Sequence, residues 1–165
     1  MASWDILTWL SVIGLMIVAY LLGSIPSAVW IGKKYYGIDI REHGSKNAGT
    51  TNMLRVLGKR AALPVFIIDF FKGFVAVILT SLMRYDDNVD EAWIINLRII
   101  ATVFVVLGHI YPIFAGFKGG KGVVTTAVSM LMCNPFVFLI LLVLFVIIVG
   151  FSKYISLGSV MCALL

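Results

Sequence analysis

Long apolar runs separated by short polar stretches set the layout of this chain. Ile6 to about Trp30 is the first run, Ala61 to Met83 the second and Ala92 to about Ala115 the third. Each is long enough for a helix to cross a hydrocarbon core about 30 Å thick. Val123 to Gly150 is apolar throughout except at Asn134-Pro135. It reads as one kinked helix or as a hairpin of two short helices. A last apolar segment, Ile155 to Leu165, covers about half a span. Gly14, Gly23, Ser24 and Pro26 interrupt the first run. Small residues suit close helix packing, and Gly23-Ser24-Ile25-Pro26 is expected to bend or end the helix near the interface. The expected fold class is all-α: one polytopic membrane helix bundle over residues 1–165, with short and broken helices.

Composition agrees. Hydrophobic residues make up 61%, charged residues 13%, and mean hydropathy is +1.06. These values exclude an ordinary soluble domain and suit about six membrane segments, some of them short. Lys33 to Arg60 is the longest polar stretch, with Lys33, Lys34, Arg41, Lys46, Arg55, Lys59 and Arg60 against only Asp39 and Glu42. Arg84 to Glu91 is instead acidic, with Asp86, Asp87, Asp90 and Glu91. The positive-inside bias therefore predicts a cytoplasmic 33–60 loop and an outside N-terminus. Counting spans onward puts Lys118 and Lys121 on the cytoplasmic side too. A turn at Asn134-Pro135 returns Lys153 to that side, which favours the hairpin.

The net charge of +5 argues for anionic lipid or phosphorylated substrates over nucleic acid, since no basic face on a soluble domain is available. The N-terminus lacks the basic start and small-residue cleavage pattern of a secretory signal, so the first run is expected to stay as an anchor. Cys133 and Cys162 lie in apolar stretches without metal spacing and read as packing residues. Nothing in the sequence demands a metal or cofactor, and no obligate protein partner is inferred.

The densest candidate chemistry is Gly116-Phe117-Lys118-Gly119-Gly120-Lys121-Gly122-Val123-Val124-Thr125-Thr126. Four glycines in seven residues let backbone approach a ligand closely. Successive amides in such a loop can form a nest for an anion, and a following helix N-terminus adds unpaired donors. Lys118 and Lys121 add full charges, so the stretch reads as a phosphate-capture loop at a membrane surface. The P-loop pattern fails, because Ala115 and Gly122 stand where Gly and Ser or Thr are required. The competing reading is a glycine-rich turn with two lysines at the interface.

A second block, Arg41 to Arg55, is rich in small hydrogen-bonding residues. A helix starting near Ala48 would gather Thr51, Asn52 and Arg55 on one side, with Ser45 and Asn47 at its cap. Such a surface could meet phosphate oxygens, or it is simply a capped helix with a solvated arginine. Asp69 and Lys72 lie three apart inside the second span, as a structural ion pair or as a substrate contact. His109, near the end of the third span, is either a hydrogen-bonded bundle histidine or a phosphate ligand or proton carrier. No hydrolytic triad stands out. The HxxxxD spacing of common glycerolipid acyltransferases also fails, with Ala48 and Phe114 at the aspartate positions.

Five segments carry a family resemblance. They are Gly23-Ser24-Ile25-Pro26, then Gly44-Ser45-Lys46-Asn47-Ala48-Gly49-Thr50-Thr51-Asn52 with Arg55, then Asp69-Phe70-Phe71-Lys72-Gly73. Gly108-His109-Ile110-Tyr111-Pro112 through Gly122 follows, and Tyr154-Ile155-Ser156-Leu157-Gly158-Ser159 comes last. In this order they resemble the bacterial acyl-phosphate:glycerol-3-phosphate acyltransferases, the PlsY family, over nearly the whole chain.

The resemblance implies an inner-membrane enzyme that makes lysophosphatidic acid from acyl phosphate and glycerol 3-phosphate, an early step of phospholipid synthesis. It implies catalytic roles for Ser45 and Arg55, and the base stays open between His109, a candidate from its own place in the chain, and a substrate phosphate. It also implies substrate binding by Lys118, Gly119, Gly120, Lys121, Gly122 and Ser156, and the polar block adds Asn47, Thr51 and Asn52 as candidate substrate contacts. Lys46, Thr50 and Val124 are mild departures from the family pattern. The family's final His-x-x-Asn…Glu block is absent, so the expectation is a domain missing its C-terminal part. A transporter for phosphorylated metabolites is the alternative, since Asp69, Lys72 and broken helices would suit one.

Overall fold

The computed structural model describes residues 6–83 and 91–164. The acidic stretch from Arg84 to Asp90 lies outside the described residues. The architecture is helical: α1 Ile6–Gly23, α2 Ser27–Tyr36, α3 Thr50–Leu57, α4 Lys59–Ile78, α5 Glu91–Ile110, α6 Val123–Cys133, α7 Pro135–Ser152 and α8 Ile155–Leu164. Short 3-10 turns at Ile40–Glu42, Leu79–Leu82 and Ile113–Ala115 join them. Four helical segments are long and apolar enough to cross a membrane: Ile6–Tyr36, Lys59–Leu82, Glu91–Ala115 and Pro135–Ser152.

The first run breaks where its sequence says it should. α1 ends at Gly23, and α2 starts at Ser27 after Pro26, which has no amide proton to continue the ladder. α1 packs along α5 at very short range, because glycines on both helices let backbones touch. A Cβ on Gly23 would overlap the Val105 carbonyl, and one on Gly108 would overlap the Tyr20 carbonyl and approach Ser24 N at 2.9 Å. Leu15, Ala19, Ala76, Ala101 and Val105 form the apolar centre of this part. A second centre, including Ala28, Ile40, Met53, Ala61 and Val65, sits where α2, the 3-10 turn, α3 and α4 meet.

The Val123 to Gly150 stretch is two helices. α6 has 11 residues, about 16 Å long at 1.5 Å per residue and too short to span. It packs against α4 and α5 and buries Thr125, Val128 and Ser129. α7 has 18 residues, so the expectation of two short halves is corrected: one half is short and the other is of spanning length. Asn134 makes the division, its side-chain oxygen accepting from the amides of Phe136 and Val137 at 3.1 and 3.2 Å. Pro135 sits at the first helical position, where it is best tolerated. α7 buries none of its residues, as expected for a helix facing lipid.

Gly108→Val should destabilise the protein by about 1–3 kcal/mol through overpacking of the α1–α5 contact. Gly14→Ala, on the same helix pair but with nothing within 4 Å of the added Cβ, should shift it by less than about 0.5 kcal/mol. Thermal unfolding in detergent compares the two, and equal effects would disprove the close-approach account.

Candidate active site

The 33–60 stretch and the glycine-lysine loop meet on one end of the bundle. Arg41 joins them. Its Nε and Nη2 donate to the two carboxylate oxygens of Asp39 at 2.9 and 2.7 Å, while Nη1 donates to the carbonyl of Ala115 at 2.7 Å and more weakly to that of Lys118 at 3.3 Å. Lys33 adds a 3.1 Å ion pair to Asp39. The Arg41 guanidinium holds the Asp39 carboxyl well below the usual carboxylate range. Its contribution to stability is therefore present above that range and is lost only as pH falls through the lowered value. This bracket was missed in the sequence; the Asp-x-Arg spacing is its only local sign.

Asn52 organises the preceding loop. Its Nδ2 donates toward the carbonyls of Ile40, His43 and Asn47 at 3.0–3.1 Å, and its Oδ1 accepts the Ser45 amide at 2.9 Å. The side chain is buried and its hydrogen-bonding capacity is used within the chain. The expected placement of Asn52 on a ligand-facing side with Thr51 and Arg55 is corrected accordingly: it is a clamp for the loop. The cap is corrected too, because α3 begins at Thr50 with Gly49 as its N-cap and no side-chain cap bond from Ser45 or Asn47. Ser45, Thr51 and Arg55 are exposed and Asn47 is half-buried. Lys46 holds a left-handed backbone, φ 58°, a conformation that disfavours a β-carbon.

The glycine loop is built differently from an open nest. The amides of Gly119 and Gly120 donate back to the carbonyls of Ile110 and His109 at 3.0 and 3.1 Å, capping the end of α5. Those two donors are therefore committed, which corrects the expectation that they face an anion. Their glycine identity answers to crowding: a Cβ on Gly120 would overlap His109 Nε2 and lie 2.9 Å from the Ala48 carbonyl. Gly122, at φ 74°, is the N-cap of α6. Thr126 is the first α6 residue whose amide reaches a backbone carbonyl, that of Gly122 at 2.8 Å. The amides just before it form the helix N-terminus, where an anion is favoured.

Beneath the loop lies a buried polar cluster. Lys72 Nζ is 2.8 Å from Asp69 Oδ1, with both side chains at most 3% exposed. Ser27 Oγ donates to the same Asp69 oxygen at 2.8 Å, and Lys72 also donates to the Ile25 carbonyl at 3.2 Å. His109 Nδ1 faces Asp69 Oδ1 across 3.7 Å. The space among Ser27, Ala48, Lys72, His109, Gly119 and Gly120 is about 10 Å³. Asp69 and Lys72 thus form a buried structural pair.

Outside the cluster, a cleft of about 620 Å³ opens between Asp39, Arg41, Glu42, Lys46 and the loop residues Ala115, Gly116, Lys118 and Gly119. Among the described residues, no ion pair or side-chain hydrogen bond engages the charged ends of Lys46, Arg55, Lys118 or Lys121. Ser156 is exposed on α8, which packs on α7. Nothing among the described contacts ties it to the cluster, so its expected place in the same pocket gains no support.

These features define a polytopic membrane protein whose loops assemble a cationic surface over a sealed polar core. Residues 13–165 match the family model for glycerol-3-phosphate acyltransferase. The chain is 43% identical over 155 residues to the glycerol-3-phosphate acyltransferase of Listeria monocytogenes, covering 94% of this chain and 75% of that one. It is 48% identical over 149 residues to that of Bacillus cereus, covering 90% and 71%. It also superposes with a TM-score of 0.79 and 36% identity on the crystal structure of PlsY (YgiH), an integral membrane glycerol 3-phosphate acyltransferase, in its glycerol 3-phosphate form. That match covers 93% of this chain and 73% of the other. The lysophosphatidic acid form gives 0.75 at the same identity. The chain belongs to the glycerol-3-phosphate acyltransferase family.

Proposed function

We propose that this chain transfers a fatty acyl group from acyl phosphate to the primary hydroxyl of glycerol 3-phosphate, giving lysophosphatidic acid and inorganic phosphate. Family membership supports acyl transfer to glycerol 3-phosphate. The observation that supports a phosphate-rich pair of substrates is the group of unpaired cations, Lys46, Lys118 and Lys121 on the two loops that Arg41 fastens together and Arg55 on α3, the helix that follows the first of them.

The hydroxyl oxygen of glycerol 3-phosphate forms a bond to the acyl carbon. The bond from that carbon to the phosphate oxygen breaks, and phosphate leaves with the electron pair. The hydroxyl proton passes to the departing phosphate. An acyl phosphate is a mixed anhydride, so the donor is already activated. The work left to the protein is to bring two anions together and stabilise developing negative charge. Lys118, Lys121, Arg55, the α6 N-terminal amides and the hydroxyls of Ser45 and Thr51 suit that task.

Ser45 acts in this reading as a hydrogen-bond donor. An acyl-enzyme would need a positioned base and an orienting third group. His109 is buried under Gly120, and Ser45 is exposed with only its amide held, by Asn52. The enzyme resides in the bacterial inner membrane with the 33–60 and 116–122 loops facing the cytoplasm, on the strength of their positive charge.

Lys121→Ala should raise the KM for glycerol 3-phosphate roughly 10- to 150-fold, from about 1.5–3 kcal/mol for a charged hydrogen bond to phosphate. A folded variant with wild-type kinetics, followed by phosphate release, would remove Lys121 from the site. Enzyme mixed with acyl phosphate alone should carry no fatty-acyl mass on Ser45; an adduct formed and consumed at the turnover rate would sink direct transfer. A cysteine placed at Lys46 should label from the cytoplasmic side. Labelling from outside alone would reverse the topology.

A further inference from the structure

We infer that Asp69, supported by Lys72 and Ser27, is a positioning residue for the glycerol 3-phosphate loop, and that His109 transmits this positioning rather than serving as the base. The inference rests on the reading that Lys118, Lys121 and the α6 N-terminus receive that substrate.

The loop segment from Lys121 to Val124 is flanked on both sides by residues that reach the same residue of α4, by packing and charge approach on one side and by a hydrogen bond on the other. On one side, Gly119 and Gly120 are hydrogen-bonded to the Ile110 and His109 carbonyls. The His109 ring fills the place a Gly120 side chain would take, and its Nδ1 faces Asp69 Oδ1 at 3.7 Å. On the other side, Thr125 Oγ1 donates to the Asp69 carbonyl at 3.4 Å. The backbone of Thr125 rides over Gly73, where a Cβ would come 2.9 Å from the Thr125 carbonyl. Asp69 is itself fixed by Lys72 and Ser27, each at 2.8 Å. Lys72 in turn ties to Ile25 in the break between α1 and α2. Loop, α4 and broken helix therefore share one anchor.

His109 is poorly placed to act on the hydroxyl directly. Only 6% of it is exposed, and the adjoining space of about 10 Å³ is water-sized and cannot admit glycerol 3-phosphate. Its Nδ1 has no hydrogen-bond partner and looks inward to the carboxylate. A positioning role predicts that substrate binding suffers more than the chemical step.

The test uses two variants of the protein purified in detergent. Removing only Asp69 would strand a buried lysine, so the variant is the double one, Asp69→Asn with Lys72→Met, which keeps the Ser27 acceptor and removes both charges. The second is His109→Asn, which keeps a polar group near Nδ1 but cannot serve as a base. Both should elute as monodisperse protein. Both should raise the KM for glycerol 3-phosphate roughly tenfold, keep kcat within about threefold, and leave the KM for acyl phosphate unchanged. Calorimetric binding of glycerol 3-phosphate alone should weaken by the same factor. A loss of kcat beyond about 100-fold at unchanged KM in His109→Asn would identify proton transfer and overturn the inference. Wild-type kinetics in both variants, or a double variant that does not fold, would also overturn it. Failure of the wild-type protein to form lysophosphatidic acid from acyl phosphate would instead defeat the donor assignment. The calorimetric comparison stands apart from that outcome.

Discussion

A lysine and an aspartate sealed inside the bundle hold together the parts that the membrane alone would leave unfastened. Breaking a helix at residues 24–26 exposes a carbonyl in a region where unsatisfied backbone is expensive. The Ser27 amide donates to the Ile25 carbonyl at 3.0 Å, Lys72 adds a second donor from α4 at 3.2 Å, and Asp69 neutralises the charge this brings indoors. Ser27, the first residue of α2, completes the acceptor side. Removing either charge alone would leave the other buried without a counter-ion, which typically destabilises by about 3–5 kcal/mol. The pair thus joins the break to the glycine-lysine loop, since Asp69 also accepts from Thr125 through its carbonyl.

Glycine does more packing than ligand work in this molecule. Gly23 and Gly108 bring α1 and α5 into backbone contact, and Gly73 admits the backbone of α6 over α4. In the glycine-lysine loop, Gly119 and Gly120 fit under the end of α5 and against His109. Close packing of this kind holds the loop rigid while its lysines stay exposed. A hydrogen-bonded loop backbone with exposed charged tips suits a phosphate, because the oriented amides and the charge can be supplied with little reorganisation on binding.

Charge is divided by depth. Asp69 inside and Asp39 at the rim are engaged with basic partners, while among the described residues Glu42 in the cleft and the cations Lys46, Arg55, Lys118 and Lys121 have no ion-pair partner. That imbalance lies on loops joined by Arg41, so the positive field is focused at one end of the bundle. It fits an enzyme that must collect one anionic substrate from water and another from the lipid phase.

The chain's apolar runs determined the all-helical membrane fold by themselves, because only a helix satisfies every backbone group within one segment in a bilayer. The break at Gly23 to Pro26 and the division at Asn134-Pro135 were likewise local, being set by residues that cannot continue a helix. The pairing of Asp69 with Lys72 was legible as one of two readings from their spacing of three along a helix. What the residues could do beyond that was decided in space. Asn52 sits on a polar helix, but only the folded loop shows its amide turned inward onto three carbonyls. Gly119 and Gly120 look like an anion nest until α5 is seen to end directly above them. Arg41 and Asp39 bracket two loops separated by more than seventy residues, and His109 meets Asp69 from another helix. Such contacts join positions distant in the chain, and no local propensity or periodicity encodes which distant partner a polar group will find.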